Sequence, residues 1–277
     1  SDLHLDGMVI AMIVRPPVVG AEVEDYDDTA ARAVEGMQDV LMIQDRLIVI
    51  ADDTWSALQG RAALDVTWSA GRTDISSTDI SARYAERRDM SEDPALLKAL
   101  YHMPFEAHAT MEPMVCVADV REDAAEVWAP TQDRQQALNV ARQYSGLSND
   151  QITLHVPLIG GGFGRRLAVD YVAEAVAISR AISQPVKLVW TREDDLQNDV
   201  YHPLSVNFMS HARDRIRKRL SREAPDGTLE NRAVGGRVDF VDSPVIGLPE
   251  VQHGRCLGCG VGLAFTDQHV HRIGAIG

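Results

Sequence analysis

The chain has 277 residues, 45% hydrophobic and 25% charged, which is enough to bury the core of one large domain or two ordinary ones. Its formal net charge of -14 disfavours nucleic acid as a partner, because an acidic surface repels the phosphate backbone. With three cysteines and no apolar run near the roughly 20 residues that cross a bilayer, neither a disulfide framework nor a membrane span is expected.

The first 70 residues alternate short apolar runs with capped helical segments. Strands are predicted over residues 8–14, 37–43, 47–51 and 64–68. Asp27 or Asp28 can cap one helix, which stops at Gly36. Asp53 can cap a second helix, which carries Trp55. The order β-α-β-β-α-β predicts a compact α/β domain over residues 1–70.

Residues 71–97 have the composition of a connector. From Ser69 to Asp93 the chain is polar, rich in Ser, Thr, Asp and Arg, and shows no sustained periodicity. We place a domain boundary there, with a second domain over residues 98–210 and a tail of different character over residues 211–277.

The second domain begins with an expected hairpin. Residues 115–120 and 126–130 alternate like two strands around a short turn. Thr131 can cap a helix that runs to Gln143, and residues 152–157 are typical of a further strand.

A glycine-rich loop follows that strand. It consists of Gly160, Gly161, Gly162, Phe163, Gly164, Arg165 and Arg166. Apolar residues at helical spacing follow over 169–182, Pro185 ends this helix, and residues 186–190 are typical of a buried strand.

Such a loop before a helix suits anions, because missing β-carbons let backbone amides approach, and Arg165 and Arg166 would add positive charge. The loop matches neither a Walker loop nor a dinucleotide-binding fingerprint. On its own it is more typical of a tight structural turn than of a ligand site.

Five motifs occur in one order along the second domain. They are YHMPFEAHATMEP at 101–113, WAPTQ at 128–132, GGGFGRRL at 160–167, TREDD at 191–195 and YHP at 201–203. Together they resemble the molybdopterin-binding large subunit of the xanthine dehydrogenase and aldehyde oxidase superfamily, and especially its isoquinoline 1-oxidoreductase beta-subunit branch. Residues 1–70 resemble that family's hammerhead domain, at RPPV over 15–18 and DDTWSALQGR over 52–61.

The resemblance implies an α/β (α+β) fold in which a hammerhead domain joins part of a molybdopterin-binding domain with a mixed sheet. It implies a molybdopterin cofactor, expected as the cytosine dinucleotide. Gln132 would then lie beside the molybdenum oxo group, where a neutral amide can donate a hydrogen bond. The loop would line the cofactor through Gly161, Gly162, Phe163, Gly164, Arg165 and Arg166.

The family hydroxylates N-heteroaromatics or oxidises aldehydes with water as the oxygen source. The resemblance therefore implies a small-molecule substrate and a separate small iron-sulfur subunit, since three cysteines cannot ligate a cluster by four thiolates. A homo-oligomer is a further expectation. The resemblance slightly favours the periplasm over the cytoplasm, and the compartment stays open.

The sequence departs from the family pattern after Ser210. The glutamate that acts as base in the family, supplied by a second half of the molybdenum domain, is not found in this sequence. Truncation or rearrangement is the expected explanation, so no catalytic residue is assigned. Cofactor binding is expected to be weak, because a pterin between two halves would lose contact area.

Other polar clusters have simpler interpretations. His102, Glu106, His108 and Glu112 crowd into one segment, but the family's molybdenum is held by its pterin, so these side chains are expected to be structural. The acidic run over 193–195 is expected to be a solvated helix start.

The tail contains ligand types that zinc accepts: His253, Cys256, Cys259, His269 and His271. A single Cys-x-x-Cys favours an incidental loop over a metal site.

Two other functions stay open. A non-catalytic fragment would offer exposed surfaces for self-association or for a partner subunit. A serine-type hydrolase, using His102, His108 or His155, has little support because the Gly-x-Ser-x-Gly and Ser-x-x-Lys motifs are absent from the sequence.

Overall fold

The computed structural model describes residues 2–72, 76–86, 96–212 and 237–240. The chain divides into two compact units, a larger one of residues 1–87 and 105–202 and a smaller one of residues 88–104 and 203–277. The Cys-x-x-Cys of the tail and the histidines near it lie outside the described residues.

The described strands are β1 (Val9–Ile13), β2 (Val23–Asp27), β3 (Met37–Ile43), β4 (Arg46–Ala51), β5 (Asp65–Trp68), β6 (Leu96–Met103), β7 (Val115–Val120), β8 (Ala125–Trp128), β9 (Ile152–His155), β10 (Val186–Val189), β11 (Ser205–Ala212) and β12 (Arg237–Phe240). The described helices are α1 (Thr29–Arg32), α2 (Thr54–Ala62), α3 (Ser77–Glu86), α4 (Arg134–Ser145), α5 (Asp170–Ile182) and α6 (Arg192–Gln197). Single 3-10 turns lie at Asn149–Gln151 and Arg165–Leu167.

Seven strands of the larger unit form one mixed sheet, in the order β3-β4-β1-β10-β7-β8-β9. The pairs β1–β10 and β8–β9 are parallel, and the other pairs are antiparallel. Strands β2 and β5 form a separate antiparallel pair. The predicted fold class, α/β with a mixed sheet, is confirmed.

Strand β1 is apolar throughout because both faces of the sheet are covered. Val9, Ala11 and Ile13 belong to the core that also contains the buried face of α5. Ile10 and Met12 point the other way, into a second core that contains Ala57 of α2. An unbroken apolar strand is typical of a sheet with helices on both sides.

Most of the predicted N-terminal elements are confirmed. The four predicted strands correspond to β1, β3, β4 and β5, and Asp53 caps α2 by accepting a hydrogen bond from Ser56 N at 2.9 Å. Strand β2 was not expected, because its sequence is acidic and most of its residues are exposed. Helix α3 lies inside the segment that was predicted to be only a connector. It was not predicted because its sequence is mostly polar.

The elements around the glycine loop differ in detail from the prediction. The hairpin of β7 and β8 is confirmed. Thr131 is not the cap of α4: Asp133 is, because its Oδ1 accepts from Gln136 N at 2.9 Å. The strand predicted over 152–157 ends at His155, and a 3-10 turn separates the loop from α5, which begins at Asp170.

The N-terminal segment shares its sheet with residues 115–189. Strand β1 pairs with β4 along one side and with β10 along the other. The sheet is therefore built from both sides of the expected connector. The division into domains 1–70, 71–97, 98–210 and 211–277 stays a prediction.

In the smaller unit, the described strands form an antiparallel sheet in the order β12-β11-β6. None of the helices that the structure describes is long and apolar enough to cross a membrane.

Candidate functional site

The glycine loop has an unusual backbone. Gly161 and Gly164 have φ of +96° and +108°, a region that favours glycine. Phe163 also has a positive φ, +53°, although it carries a β-carbon, and its side chain is 68% exposed. A non-glycine residue held in this region is uncommon, and such strain clusters at ligand sites.

Gln132 lies directly against this loop. Its Oε1 accepts hydrogen bonds from Gly164 N at 3.1 Å and from Arg166 N at 3.2 Å. Its own backbone N–H donates to Arg166 O at 3.1 Å. The Thr-Gln segment at 131–132 and the loop at 160–166 are separate in the sequence but form one site.

Thr131 sets the position of Gln132. Thr131 is buried, and its hydroxyl donates to Arg166 O at 3.0 Å and accepts from Asp133 N at 3.0 Å. The residue predicted as a helix cap thus ties the start of α4 to the end of the loop. Gln132 itself is exposed, and no acceptor for its Nε2 is found among the described residues.

Three successive loop amides are left open. Over the described part of the chain, no protein acceptor bonds the backbone N–H groups of Gly161, Gly162 or Phe163. Gly162 is buried, so its open amide is costly unless a ligand or water satisfies it. A β-carbon at Gly162 would lie 2.5 Å from Gln132 Oε1, so only glycine fits there without a shift.

Arg166 points into the protein rather than toward the surface of the loop. Its side chain is fully buried, and it donates to the carbonyls of Gly161 at 2.8 Å, Pro130 at 3.1 Å and Glu112 at 2.8 Å. It also pairs with the Glu112 carboxylate at 3.0 Å. One guanidinium therefore fastens three segments around the loop.

Arg165 is equally buried. It makes a bidentate pair with Asp170, at 3.0 and 2.9 Å, and its Nε lies 3.2 Å from Asp199 Oδ1. The charges that the sequence analysis expected to attract an anion are thus already partnered by carboxylates. The sequence supplied the charge of these two side chains but not their direction.

His108 lies beneath the far end of the loop. Its Nδ1 is 3.0 Å from Asp199, whose Oδ2 also accepts from the His108 backbone N–H at 2.6 Å. The centres of the His108 and His202 rings lie 4.0 Å apart. A β-carbon at Gly164 would lie 3.2 Å from His108 Nε2. His108 is therefore part of the packing that supports Gly164.

The other polar residues of the motif at 101–113 do not gather around His108 but lie in different places. Glu112 accepts from Gly160 N at 3.2 Å and pairs with Arg166. Glu106 forms a backbone bridge with His202, and His102 lies in β6 of the smaller unit. Within the ranges that the structure describes, no three metal-ligating side chains converge.

The expected solvated helix start at 193–195 is wrong for two of its three residues. Asp194 and Asp195 are buried. Asp194 accepts from Arg61 Nη1 at 2.7 Å, and Asp195 pairs with Arg192 at 2.8 Å. Burial raises the pKa of Asp195, against the nearby arginines. The run therefore joins α6 to the N-terminal segment.

A buried ionic group that the sequence analysis missed lies behind the loop. Glu174 of α5 accepts a bidentate pair from Arg15 at 2.9 and 2.9 Å, and it also accepts from Trp190 Nε1 at 2.9 Å. Burial raises the pKa of Glu174 despite its arginine partners. The sequence pointed to Arg15 through the motif at 15–18, but no spacing in the sequence identifies Glu174 as its partner.

Comparison with known proteins identifies the family. Residues 77–208 match the family model of the molybdopterin cofactor-binding domain. Isoquinoline 1-oxidoreductase subunit beta of Brevundimonas diminuta is 32% identical, over 72% of this chain and 29% of that protein. This chain belongs to the molybdopterin-binding subunits of the xanthine oxidase family. The resemblance that the five motifs indicate is confirmed.

Other relatives agree with this family assignment. The membrane-bound aldehyde dehydrogenase (pyrroloquinoline-quinone) of Gluconacetobacter polyoxogenes is 30% identical, over 77% of this chain and 31% of that protein. The aldehyde oxidoreductase of Desulfovibrio desulfuricans shares the fold, with a TM-score of 0.62 and 16% identity over 77% of this chain and 30% of that one. The chain spans less than a third of the length of each of these proteins.

Proposed function

We propose that this chain is a component or fragment of a molybdopterin-dependent oxidoreductase, and that Gln132 and the glycine loop hold the cofactor. The observation that supports this most is the contact between them. Gln132 Oε1 accepts from two loop amides, at 3.1 and 3.2 Å, while its Nε2 keeps its donors. An exposed amide held in one orientation can donate outward to an oxygen of a bound group.

The residues present fit a molybdopterin. Its oxygens accept hydrogen bonds, and the open amides of Gly161, Gly162 and Phe163 can donate them. Gly162 lets the Gln132 side chain lie against the loop, because a β-carbon at position 162 would overlap it. When bound, the cofactor supplies two-electron redox chemistry at its metal. We propose the cytosine dinucleotide form.

This chain's own residues would bind and orient. Gln132 would hold the cofactor by donating through Nε2, and the loop amides would donate to it as well. The exposed Phe163 ring would cover the cofactor and exclude water. Arg165 and Arg166 would act from inside the protein, by fixing the loop rather than by touching the ligand. No catalytic residue of this chain is assigned.

Two substrate classes follow from the relatives. The Brevundimonas protein is named for an N-heteroaromatic, isoquinoline, and the Gluconacetobacter protein for aldehydes. We propose that the complete enzyme hydroxylates the first or oxidises the second. A small iron-sulfur subunit would carry electrons away, and a homo-oligomer is a further proposal.

A second candidate is a redox-inactive module that binds itself or a partner. It is favoured by exposed apolar side chains beside the loop: Met111 is 86% exposed, Leu158 97% and Phe163 68%. The serine hydrolase stays the weakest proposal, since the Gly-x-Ser-x-Gly and Ser-x-x-Lys motifs are absent from the sequence.

The test is the molybdenum content of the chain, purified from a host that makes the pterin and with its partner subunits coexpressed. If a coexpressed partner completes the cofactor site, we expect near-stoichiometric molybdenum, cytosine nucleotide after hydrolysis, and iron only in the small subunit. Gln132→Ala removes one hydrogen bond to the cofactor, so the content should fall roughly tenfold at limiting cofactor.

Gln135→Ala is the matched control. Gln135 lies on the exposed first turn of α4, and among the described residues its side chain bonds Asn139, at 3.1 Å, so its replacement should not change the molybdenum content. A wild-type chain without molybdenum would rule out the oxidoreductase proposal and favour the module.

A further inference from the structure

Near its end, the glycine loop carries an arginine, Arg165, whose side chain is anchored inside the protein. Arg165, directly after Gly164, has no exposed side-chain surface. Its guanidinium is fixed by Asp170 and Asp199 and lies 5.2 Å from the centre of the Trp190 ring. Because the whole Arg165 side chain is enclosed, a displaced guanidinium would disturb the packing at this end of the loop.

Trp190 is held in turn by the N-terminal segment. Its side chain is buried, and its Nε1 donates to Glu174 Oε2 at 2.9 Å. The guanidinium of Arg15, two residues after β1, lies over the same ring at 4.1 Å and forms the bidentate pair with Glu174. Both arginines lie within the roughly 6 Å at which a cation interacts with an aromatic ring.

Three carboxylates keep this arrangement in one geometry. Two guanidiniums beside one indole repel each other, and Glu174, Asp170 and Asp199 offset that repulsion. The Arg fork fixes direction as well as charge, which a lysine would not. Side chains from just after β1, from α5 and from just after β10 therefore meet in one buried group.

We propose that Arg15 and Trp190 are positioning residues of the glycine loop, acting through Arg165. The N-terminal segment thereby helps to set the loop that holds the cofactor. The inference rests on the proposed function for the identity of the ligand, whereas the geometry stands on the protein alone.

The experiment is hydrogen–deuterium exchange on the full chain without cofactor, which follows the peptide 156–168 against strands β7 and β10. We expect Arg15→Met to raise the exchange rate of the loop peptide about tenfold relative to β7, since local opening needs only the loop to separate from its support. Trp190→Leu should do the same or more. Trp190→Phe keeps an aromatic face and should restore most of the protection.

Arg61→Met is the matched control, because Arg61 also comes from the N-terminal segment and pairs with a buried carboxylate, Asp194, at 2.7 Å. It should leave the loop peptide within about twofold of wild type. The inference is overturned if Arg61→Met and Arg15→Met affect the loop equally, or if loop and β7 exchange rise together.

Equal exchange in the Phe and Leu variants of Trp190 would also overturn it, since the ring face would then not matter. If Trp190→Leu does not fold, the partly accessible Arg15 still decides the question. A wild-type chain that takes up no molybdenum yet shows the expected exchange pattern would reject the proposed function and leave this inference standing.

Discussion

Replacing Gly162 with alanine is a direct test of how the loop is held. The new β-carbon would lie 2.5 Å from Gln132 Oε1 and 2.6 Å from its Cδ. Gly162 is not among the residues with positive φ, so the change adds no backbone strain. Gln132 must swing away, and its hydrogen bonds from Gly164 N and Arg166 N are lost. At about 0.5–1.5 kcal/mol each, the free energy of unfolding should fall by about 1–3 kcal/mol.

A double-mutant cycle isolates that mechanism. In a Gln132→Ala background the acceptor is already gone, so adding Gly162→Ala should cost less than about 0.5 kcal/mol more. Urea unfolding followed by tryptophan fluorescence gives the four free energies. Gln135→Ala again serves as the control for loss of an exposed glutamine. If the two changes are additive within about 0.5 kcal/mol, the contact between Gln132 and the loop does not have the role assigned to it.

Three further outcomes are expected. Arg166→Met removes four hydrogen bonds from a fully buried guanidinium, at about 0.5–1.5 kcal/mol each, so the free energy of unfolding in thermal melts should fall by about 2–6 kcal/mol, and a loss below about 1 kcal/mol would contradict this role. Asp133→Ala removes the acceptor of Gln136 N, so the free energy of unfolding measured in urea should fall by about 1 kcal/mol; an unchanged midpoint would contradict this cap. Burial raises the pKa of Tyr171 to about 12, above its ordinary 10.0, so its contribution to stability is complete below pH 10 and is lost as the pH rises toward 12. Tyr171→Phe should therefore flatten the fall in urea midpoint between pH 9 and pH 11, and an equally steep fall would refute this.

The strands were largely predictable because their apolar residues are continuous. Val9 to Ile13 form an unbroken apolar run, and such a run indicates burial on both faces whatever its neighbours are. The pattern does not say which strand pairs with which. The register of Val9 with Val186 joins distant parts of the chain, and no local spacing encodes it.

The site was predictable only in part. The motifs led to Gln132 and the glycine loop, and the contact between them follows once both are placed. The inward direction of Arg165 and Arg166 could not be predicted, because a basic side chain in a loop can equally well point into the solvent. Their partners Asp199 and Glu112 lie 34 and 54 residues away, so only the fold brings these charges together.

The position of β1 has a consequence for how pieces of this chain behave. Residues 77–208, the range that the family model matches, omit β1, β3 and β4. A polypeptide cut to that range would expose the side of β10 that β1 otherwise covers, an apolar edge of the kind that templates aggregation. During synthesis, β1 emerges long before β10, so the pairing of these two strands can form only after residues 186–189 have been made. The range that the family model matches is therefore shorter than the stretch of chain that builds the seven-stranded sheet.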